Sequence, residues 1–301
     1  MPARAVRANL AALLLGVAAL VACTDGLAPE HYERPITFMQ LSDGGWQIYR
    51  VGLDGAAPQR VPLPQSSTTY PAVSPDGRFL AYLSERDVQG LFVQPLDSGP
   101  SRGPYPETFL IRIAWSPDGD QLILAIDDPP GLRLLTLADG RTRDIGLDLG
   151  EPAWSPDGTT ILATTGGFGR AAGIYRLRPD SGPVDLVVPG AGAEIRDPAW
   201  SPDGSRIAFA RGTWGASFIF SARPDGSDVQ QLTRPESNRS LTDLKPVWAP
   251  DGAYLAFQRE HPTCDTLACP HRYDIFVVRP DGSGLRMLTG NARWGGVVPS
   301  W

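Results

Sequence analysis

The sequence has few cysteines, few histidines and little lysine, and it has no long apolar run beyond residue 22. Three cysteines and three histidines occur among 301 residues, and the formal net charge is −6. Nucleic acid is not an expected partner, because phosphate neutralisation needs clustered Lys and Arg. A second membrane-spanning segment is not expected either. We find no Gly-x-Ser-x-Gly, His-Glu-x-x-His or phosphate-loop motif, so no catalytic residue and no cofactor are predicted.

The N-terminus has the features of an export signal. Arg4 and Arg7 precede an apolar stretch over residues 10–22, which is too short to span a bilayer. Residues 20–23, Leu-Val-Ala-Cys, resemble the lipobox of bacterial lipoproteins. We therefore predict a signal peptide over residues 1–22, lipidation of Cys23 and a lipidated tether over residues 23–35, with acyl chains as the membrane contact. An ordinary secretory signal with a chance cysteine is the alternative.

A short turn sequence recurs five times along the chain. Ser-Pro-Asp-Gly occupies residues 74–77, 116–119, 155–158 and 201–204, and Ala-Pro-Asp-Gly occupies residues 249–252. From aspartate to aspartate the steps are 42, 39, 46 and 48 residues, the length of one four-stranded propeller blade. Asp bonds its own backbone in turns and Gly accepts a positive φ, so we interpret these residues as structural.

The order of strands within the repeats predicts an all-β fold. The second strand of each repeat is apolar on both faces, which is typical of a strand held between neighbouring sheets. Residues 36–41, 46–51 and 60–63 match the last three strands of a repeat, and residues 298–301 match the missing first strand. We predict a six-bladed β-propeller of four-stranded antiparallel blades over residues 36–301. Its ring would be closed by the C-terminal strand joining the N-terminal three strands.

The repeated phrase also carries a family resemblance. Residues 152–158 and 198–204 both read Pro-Ala-Trp-Ser-Pro-Asp-Gly. This pattern resembles the TolB-type six-bladed β-propeller, a relative of the WD-repeat architecture, and the resemblance covers residues 36–301. It implies a periplasm-facing protein of the cell envelope. TolB itself carries an α/β domain before its propeller and belongs to the Tol-Pal system. Only residues 24–35 separate Cys23 from the first strand here, so a Tol-Pal role is not expected.

One position in each first strand is expected at the mouth of the propeller channel. In the first strand of most repeats a proline precedes the tryptophan or its equivalent by two residues. The position just before this proline is occupied by Tyr70, Arg112, Glu151, Asp197, Lys245 and Val298, with isoleucine in place of the proline after Arg112. The blade order predicts Arg112 beside Glu151 and Asp197 beside Lys245. These charges either keep the channel polar and the blades in register, or form a binding mouth for a polar ligand or a partner's tail.

Seven of the eight tryptophans divide into two groups, and the eighth, Trp46, begins a third strand. Five occupy one repeated first-strand position and are expected in the core: Trp115, Trp154, Trp200, Trp248 and Trp301. Trp214 and Trp294 fit no repeat position and fall in the variable loops, where an aromatic ring can stack on a ligand or anchor a protein partner. Loop packing is the alternative for these two.

The loop over residues 261–271 holds the remaining cysteines. In an exported protein Cys264 and Cys269 are most simply a disulfide. The alternative is a zinc site of His261, Cys264, Cys269 and His271, although the spacing is tighter than in usual zinc motifs.

Together these features predict a non-catalytic lipoprotein that binds an envelope protein or a cell-wall component. The alternative is a propeller that binds a small ligand or acts as a sugar- or metal-dependent enzyme at the channel mouth. A purely structural envelope role is a third option. Thr24 does not resemble an inner-membrane retention signal, so the outer membrane is favoured.

Overall fold

We describe the fold from a computed structural model. The described residues are 34–42, 45–86, 88–105, 110–128, 130–165, 171–180, 185–213, 215–234, 241–262, 271–290 and 299–301. All of them belong to one compact unit, Tyr32–Trp301. Regular structure in these ranges consists of β-strands, which confirms the all-β prediction. Within the same ranges, no helix has the length and apolar character needed to cross a membrane.

The strands fall into six sequential units. Unit 1 has three strands: β1 (Ile36–Ser42), β2 (Gly45–Val51) and β3 (Gln59–Arg60). Unit 2 comprises β4 (Thr68–Val73), β5 (Phe79–Ser84), β6 (Gly90–Pro95) and β7 (Arg102–Tyr105). Unit 3 comprises β8 (Leu110–Trp115), β9 (Gln121–Asp127), β10 (Pro130–Thr136) and β11 (Thr142–Leu147). Unit 4 comprises β12 (Leu149–Trp154), β13 (Ile161–Thr165), β14 (Gly173–Leu177) and β15 (Asp185–Pro189). Unit 5 comprises β16 (Glu194–Trp200), β17 (Ile207–Thr213), β18 (Ala216–Ala222) and β19 (Gln230–Gln231). Unit 6 comprises β20 (Thr242–Trp248), β21 (Leu255–Pro262), β22 (His271–Val278) and β23 (Arg286–Met287).

Within each unit, consecutive strands pair antiparallel. Units 2, 3 and 4 each form a separate four-stranded sheet, as the repeats predict. Units 5 and 6 are linked into one eight-stranded sheet by a single parallel pair, Ser217 with Thr242. Unit 1 has the three strands expected from its sequence.

The recurring turn connects the first and second strands. In unit 4, the Ser155 hydroxyl donates to Asp157 Oδ1 at 2.5 Å and accepts the backbone N–H of Thr160 at 2.9 Å. Asp157 Oδ1 also accepts the N–H of Thr159 at 3.0 Å, and Gly158 has a φ of 72°. The serine hydrogen bond lowers the pKa of Asp157 below its usual 3.8. These contacts account for the repeated aspartate as a turn residue.

Hydrophobic clusters form between neighbouring units. The second strands are their centre: Leu80, Ala81 and Tyr82 in β5 are fully buried. Such burial on both faces is why these strands lack polar alternation. One cluster packs residues of unit 1, including Phe38, against residues of unit 6, including Ile275. Another packs unit 1 against unit 2, so unit 1 has an apolar neighbour on each side.

The two ends of the described chain meet. Thr37 in β1 and Ser300 exchange two backbone hydrogen bonds, each of 2.7 Å. The Ser300 hydroxyl accepts the N–H of Val73 at 2.8 Å, and the Trp301 indole N–H donates to the carbonyl of Arg34 at 3.0 Å. Residues at the C-terminus therefore contact both β1 of unit 1 and β4 of unit 2.

Unit 6 contains a buried ion pair. Arg259 Nε lies 2.7 Å from Asp243 Oδ1, and Arg259 Nη2 lies 2.9 Å from Asp243 Oδ2. Both residues are almost fully buried, at 2% and 0% exposure. The guanidinium carbon also lies 4.7 Å from the centre of the Phe276 ring. This two-point pairing satisfies charges that have no access to water.

Candidate functional site

The first strands of units 2 to 6 share an irregularity at one place. The register between first and second strands shifts between Thr69 and Ala72, Leu110 and Arg112, Gly150 and Ala153, Arg196 and Ala199, and Leu244 and Val247. Four residues at these shifts have a left-handed backbone with φ between 49° and 57°: Tyr70, Glu151, Asp197 and Lys245. A bulge of this kind turns a side chain away from the ladder. A positive φ in residues other than glycine is uncommon and tends to occur at functional sites.

These irregular segments surround one cavity of about 270 Å³, which we call the first-strand cavity. It is lined by residues 70–72, 112–114, 151–153, 197–200, 202, 245–248 and 299–301. All five described residues of the predicted channel mouth are therefore brought to one cavity. Its remaining walls are mostly proline, alanine and tryptophan. Among the described lining residues there is no histidine or cysteine.

The charges in the cavity pair differently from the order predicted by sequence. Arg112 was expected beside Glu151, but its guanidinium forms a salt bridge with Asp197, two units along the chain. Asp197 is 5% exposed and Arg112 17% exposed, so this pair is largely shielded from water. The long arginine side chain is what lets a residue of unit 3 reach unit 5. The cavity is thus crossed by an ion pair.

The two carboxylates also bind the backbone of the next unit. Glu151 Oε2 accepts the N–H of Asp197 at 2.8 Å, and Asp197 Oδ2 accepts the N–H of Lys245 at 3.1 Å. Glu151 Oε2 accepts a second hydrogen bond, from the hydroxyl of Thr164 at 2.8 Å. The carboxylate of one unit therefore satisfies the backbone that bulges in the next. Glu151 and Asp197 hold adjacent units in register.

A family model for the TolB β-propeller domain matches residues 71–272, which is 202 of the 301 residues. The chain belongs to the TolB β-propeller family. Among curated proteins, none matches its sequence. The matched residues of this TolB-type propeller include Arg112, Glu151, Asp197 and Lys245.

Solved structures support the same fold. TolB from Acinetobacter baumannii is 21% identical, with a TM-score of 0.69 over 89% of this chain and 66% of its own length. A TolB candidate from Agrobacterium tumefaciens is 24% identical, with a TM-score of 0.64 over 85% of this chain and 88% of its own. An oligogalacturonate lyase in complex with manganese is 19% identical, with a TM-score of 0.56 over 83% of this chain and 72% of its own. This TolB-type propeller thus spans slightly less than two thirds of the Acinetobacter protein.

Several predicted sites lie outside the described residues. They are Cys23 with the signal and most of the tether, Trp214, Trp294, Val298, Cys264 and Cys269. The side chains of His261 and His271 are outside the description as well. Lipidation, the disulfide and its zinc alternative, and the two loop tryptophans stay predictions. Among the described residues, no group of three or more His, Cys, Asp or Glu side chains could hold a metal ion.

The first-strand tryptophans of this TolB-type propeller are less uniform than their repeat predicts. Trp115 and Trp248 are buried, and their indole N–H groups donate to the carbonyls of Ala72 and Ala199 in the preceding units. Trp154, Trp200 and Trp301 are only partly buried, although all three still pack against hydrophobic clusters. These three tryptophans therefore pack against the core and are also partly exposed to solvent.

Lys245 is the single lysine of the chain. Sequence reasoning placed it at the channel mouth but did not use its uniqueness, which is visible in the sequence. Burial, together with the nearby positive charge of Arg112, lowers the pKa of Lys245 from 10.5 to about 7. Glu151 and Glu260 oppose this shift. A lysine that titrates near neutral pH therefore lies in the cavity of this TolB-type propeller.

The lowered pKa predicts a stabilising substitution. Below pH 7 Lys245 is charged in the folded and unfolded chains, so the folded state bears the full cost of the buried charge. Above pH 7 the folded chain loses the proton first, and the free energy of unfolding of the wild type rises with pH up to the unfolded pKa. We expect Lys245→Met to be more stable than the wild type at pH 6. The difference should shrink above pH 7 by up to about 1.4 kcal/mol per pH unit.

Urea unfolding at pH 6 and pH 9 measures this difference. Lys245→Arg is the matched control, because arginine stays charged throughout this range and its stability relative to Lys245→Met should not change with pH. A constant difference between the wild type and Lys245→Met from pH 6 to pH 9 would contradict the lowered pKa.

Proposed function

We propose that this protein is a non-catalytic scaffold of the bacterial cell envelope that binds a protein or a cell-wall component. The observation that carries the proposal is the first-strand cavity, where charged side chains from four units are fixed by hydrogen bonds on a rigid β-scaffold. Polar groups fixed on rigid strands give a binding site orientation and specificity.

The same proposal includes six blades and a closed ring. Three observations support closure: the backbone pairing of Thr37 with Ser300, the bond from Val73 to Ser300, and the hydrophobic cluster shared by units 1 and 6. Units 2 to 6 line one cavity together with residues 299–301, which pair with unit 1, and this arrangement supports six blades around an axis. A closed ring leaves no long unpaired sheet edge between first and last units.

We further propose that acyl chains on Cys23 anchor the protein, with the propeller facing the periplasm or the cell surface. The lipobox-like sequence and the TolB family membership support this location. The outer membrane is our preferred site, because Thr24 does not resemble an inner-membrane retention signal. A tether of about a dozen residues would keep the propeller close to the membrane.

In-cell crosslinking of the full-length lipoprotein, followed by affinity purification and mass spectrometry, tests this function. We would compare the wild type with Glu151→Lys, with Lys245→Glu, and with the double variant Trp214→Ala, Trp294→Ala. Asp144→Lys is the matched control, because Asp144 lies on β11 with an exposed side chain and outside the cavity lining.

We expect a reproducible partner whose recovery falls about tenfold or more in the cavity variants, because reversing a shielded charge costs several kcal/mol of binding free energy. The control should recover the partner at the wild-type level. Loss in the tryptophan variant alone would move the binding surface to the variable loops. No reproducible partner from the wild type would contradict the scaffold.

A small-ligand or enzymatic role is the second candidate. It is favoured by the size of the cavity, by a lysine of unusual pKa within it, and by the structural likeness to an oligogalacturonate lyase. Sugars and metal ions are the ligands to screen for this role. The absence of a metal-binding group among the described residues places it second.

A further inference from the structure

We propose that Lys245 and Arg112 form an anion site in the first-strand cavity that takes the carboxylate group of a ligand. This inference rests on the proposed function, since it names the chemistry recognised at the same cavity. It follows from Lys245, whose ammonium has an amide partner and no ion pair among the described residues, whereas Arg112 is paired with Asp197 and acts on a ligand through its positive charge.

The two carboxylates of the cavity are committed to the scaffold. Asp197 accepts the guanidinium of Arg112 and the backbone N–H of Lys245. Glu151 accepts the backbone N–H of Asp197 and the hydroxyl of Thr164. Each carboxylate accepts two of the about four hydrogen bonds that its oxygens can take, and these bonds fix its position in the cavity. Neither side chain is placed as a counter-ion for the lysine ammonium.

The ammonium of Lys245 has a neutral partner instead. Within the described part of the chain, Nζ bonds to the amide oxygen of Gln258 at 3.3 Å, and no carboxylate lies within ion-pair distance. Gln258 is itself 2% exposed, so this contact is shielded from water. A partly buried cation without an ion-pair partner is unfavourable, and a carboxylate entering the cavity would supply that partner.

Four other charged groups act at this position, and of these Arg112 adds to the attraction for an anion. Arg112 repels the ammonium and attracts an anion, while Glu151 and Glu260 partly offset that field. Glu260 accepts the hydroxyl of Tyr273 at 3.0 Å, and Asp197 is paired with Arg112. Because the lysine pKa is about 7, a bound carboxylate would raise it, and binding above pH 7 would take up a proton.

The cavity limits the size of the ligand. Its volume of about 270 Å³ lies just below the common range for ligand cavities, about 300 to 1,000 Å³. The site therefore accepts a small carboxylic acid or the terminal carboxylate of a partner's chain. Both sources share one recognised group, and they can be separated by experiment.

The single lysine provides a direct assay on the full-length protein. Acetic anhydride at pH 7.5 acetylates free amines, and peptide mass mapping would report the rate at Lys245 separately from that at the N-terminus. The probes are succinate, the peptide acetyl-Ala-Ala-Ala with a free carboxylate, and the same peptide with an amidated C-terminus. Sodium chloride at equal ionic strength is the control for screening. Calorimetry with the same probes on Lys245→Arg and Lys245→Met gives a readout that does not depend on labelling.

We expect succinate or the acid peptide to slow acetylation at least fivefold, and Arg112→Gln to abolish the protection. Affinity for the wild type should fall by about tenfold per pH unit above pH 7, stay constant for Lys245→Arg, and be lost in Lys245→Met. Protection by succinate would assign a small free acid, and protection by the acid peptide alone would assign a chain terminus.

Two results would overturn the inference. One is the absence of protection and of binding heat with succinate and the acid peptide at 10 mM, a concentration at which even weak sites are about half filled or more. The other is equal protection by the acid and amidated peptides, which would mean that the carboxylate is not recognised. If either occurred while Lys245→Glu still removed a crosslinked partner, the scaffold function would stand and its recognised group would be different.

Discussion

Removal of residues 299–301 is expected to lower the melting temperature by about 6–12 °C, which corresponds to about 3 kcal/mol or more. The deletion removes the two backbone bonds between Thr37 and Ser300, the bond from Val73, and the packing of the Trp301 indole against the cluster shared by units 1 and 6. It also leaves the edge of β1 unpaired at that point. Thermal unfolding followed by circular dichroism measures the change.

Two variants show whether the loss comes from closure. Met287→Ala removes an exposed side chain from β23, 48% of which is accessible to solvent, and should change stability by no more than about 0.5 kcal/mol. Ser300→Ala keeps the backbone pairing with Thr37 and removes one hydrogen bond to Val73, at a cost of about 1 kcal/mol. A truncated protein that melts at the wild-type temperature would rule out a ring closed by its C-terminus.

Asp243→Ala is expected to destabilise the protein by about 3–5 kcal/mol, because it leaves the buried guanidinium of Arg259 without its two-point partner. The arginine cannot lose its proton, so the cost cannot be relieved by neutralisation. Equilibrium unfolding in urea at pH 7 gives the difference directly. Loss of the folded state at 37 °C is the extreme form of the same result.

Asp144→Ala is the matched control for that substitution. Asp144 pairs with Arg133 at 2.8 Å, the same chemistry at nearly the same distance, but its side chain is 63% exposed. Exposed pairs contribute about 0–1 kcal/mol, so the control should be nearly neutral. Equal effects of the two substitutions would mean that the Asp243 pair is not shielded from water.

Much of the strand order was predictable because the repeat itself marks the turns. Each Ser-Pro-Asp-Gly sequence lies between a first and a second strand, and the apolar runs that follow form β5, β9, β13 and β17. The fourth strands were less predictable. β3, β19 and β23 have two residues each, since the outermost strand has little apolar surface to bury.

The sequence also predicted that the cavity residues lie together. They occupy the same position in successive repeats, and equivalent positions of repeats arranged around one axis lie close to each other. The pairing was not predictable. Strand order places Arg112 next to Glu151, whereas the length of its side chain lets it reach Asp197. The left-handed backbone of Glu151, Asp197 and Lys245 is a second feature that spacing does not reveal, because it depends on contacts with the neighbouring unit.

At the register shift in the first strands of units 2, 4, 5 and 6, a residue that lines the cavity is left out of the pairing between strands. Residues on either side of the shift pair with the neighbouring strand, whereas Tyr70, Glu151, Asp197 and Lys245 leave the ladder and line the cavity. Arg112 lines the cavity while it stays paired with Ala125. A substitution there removes polar contacts with other units, including the shielded ion pair at Asp197, but leaves the hydrophobic core intact. The cavity lining can therefore change without repacking the core, so the ligand preference of this scaffold can evolve within one fold, provided that paired residues such as Arg112 and Asp197 change together.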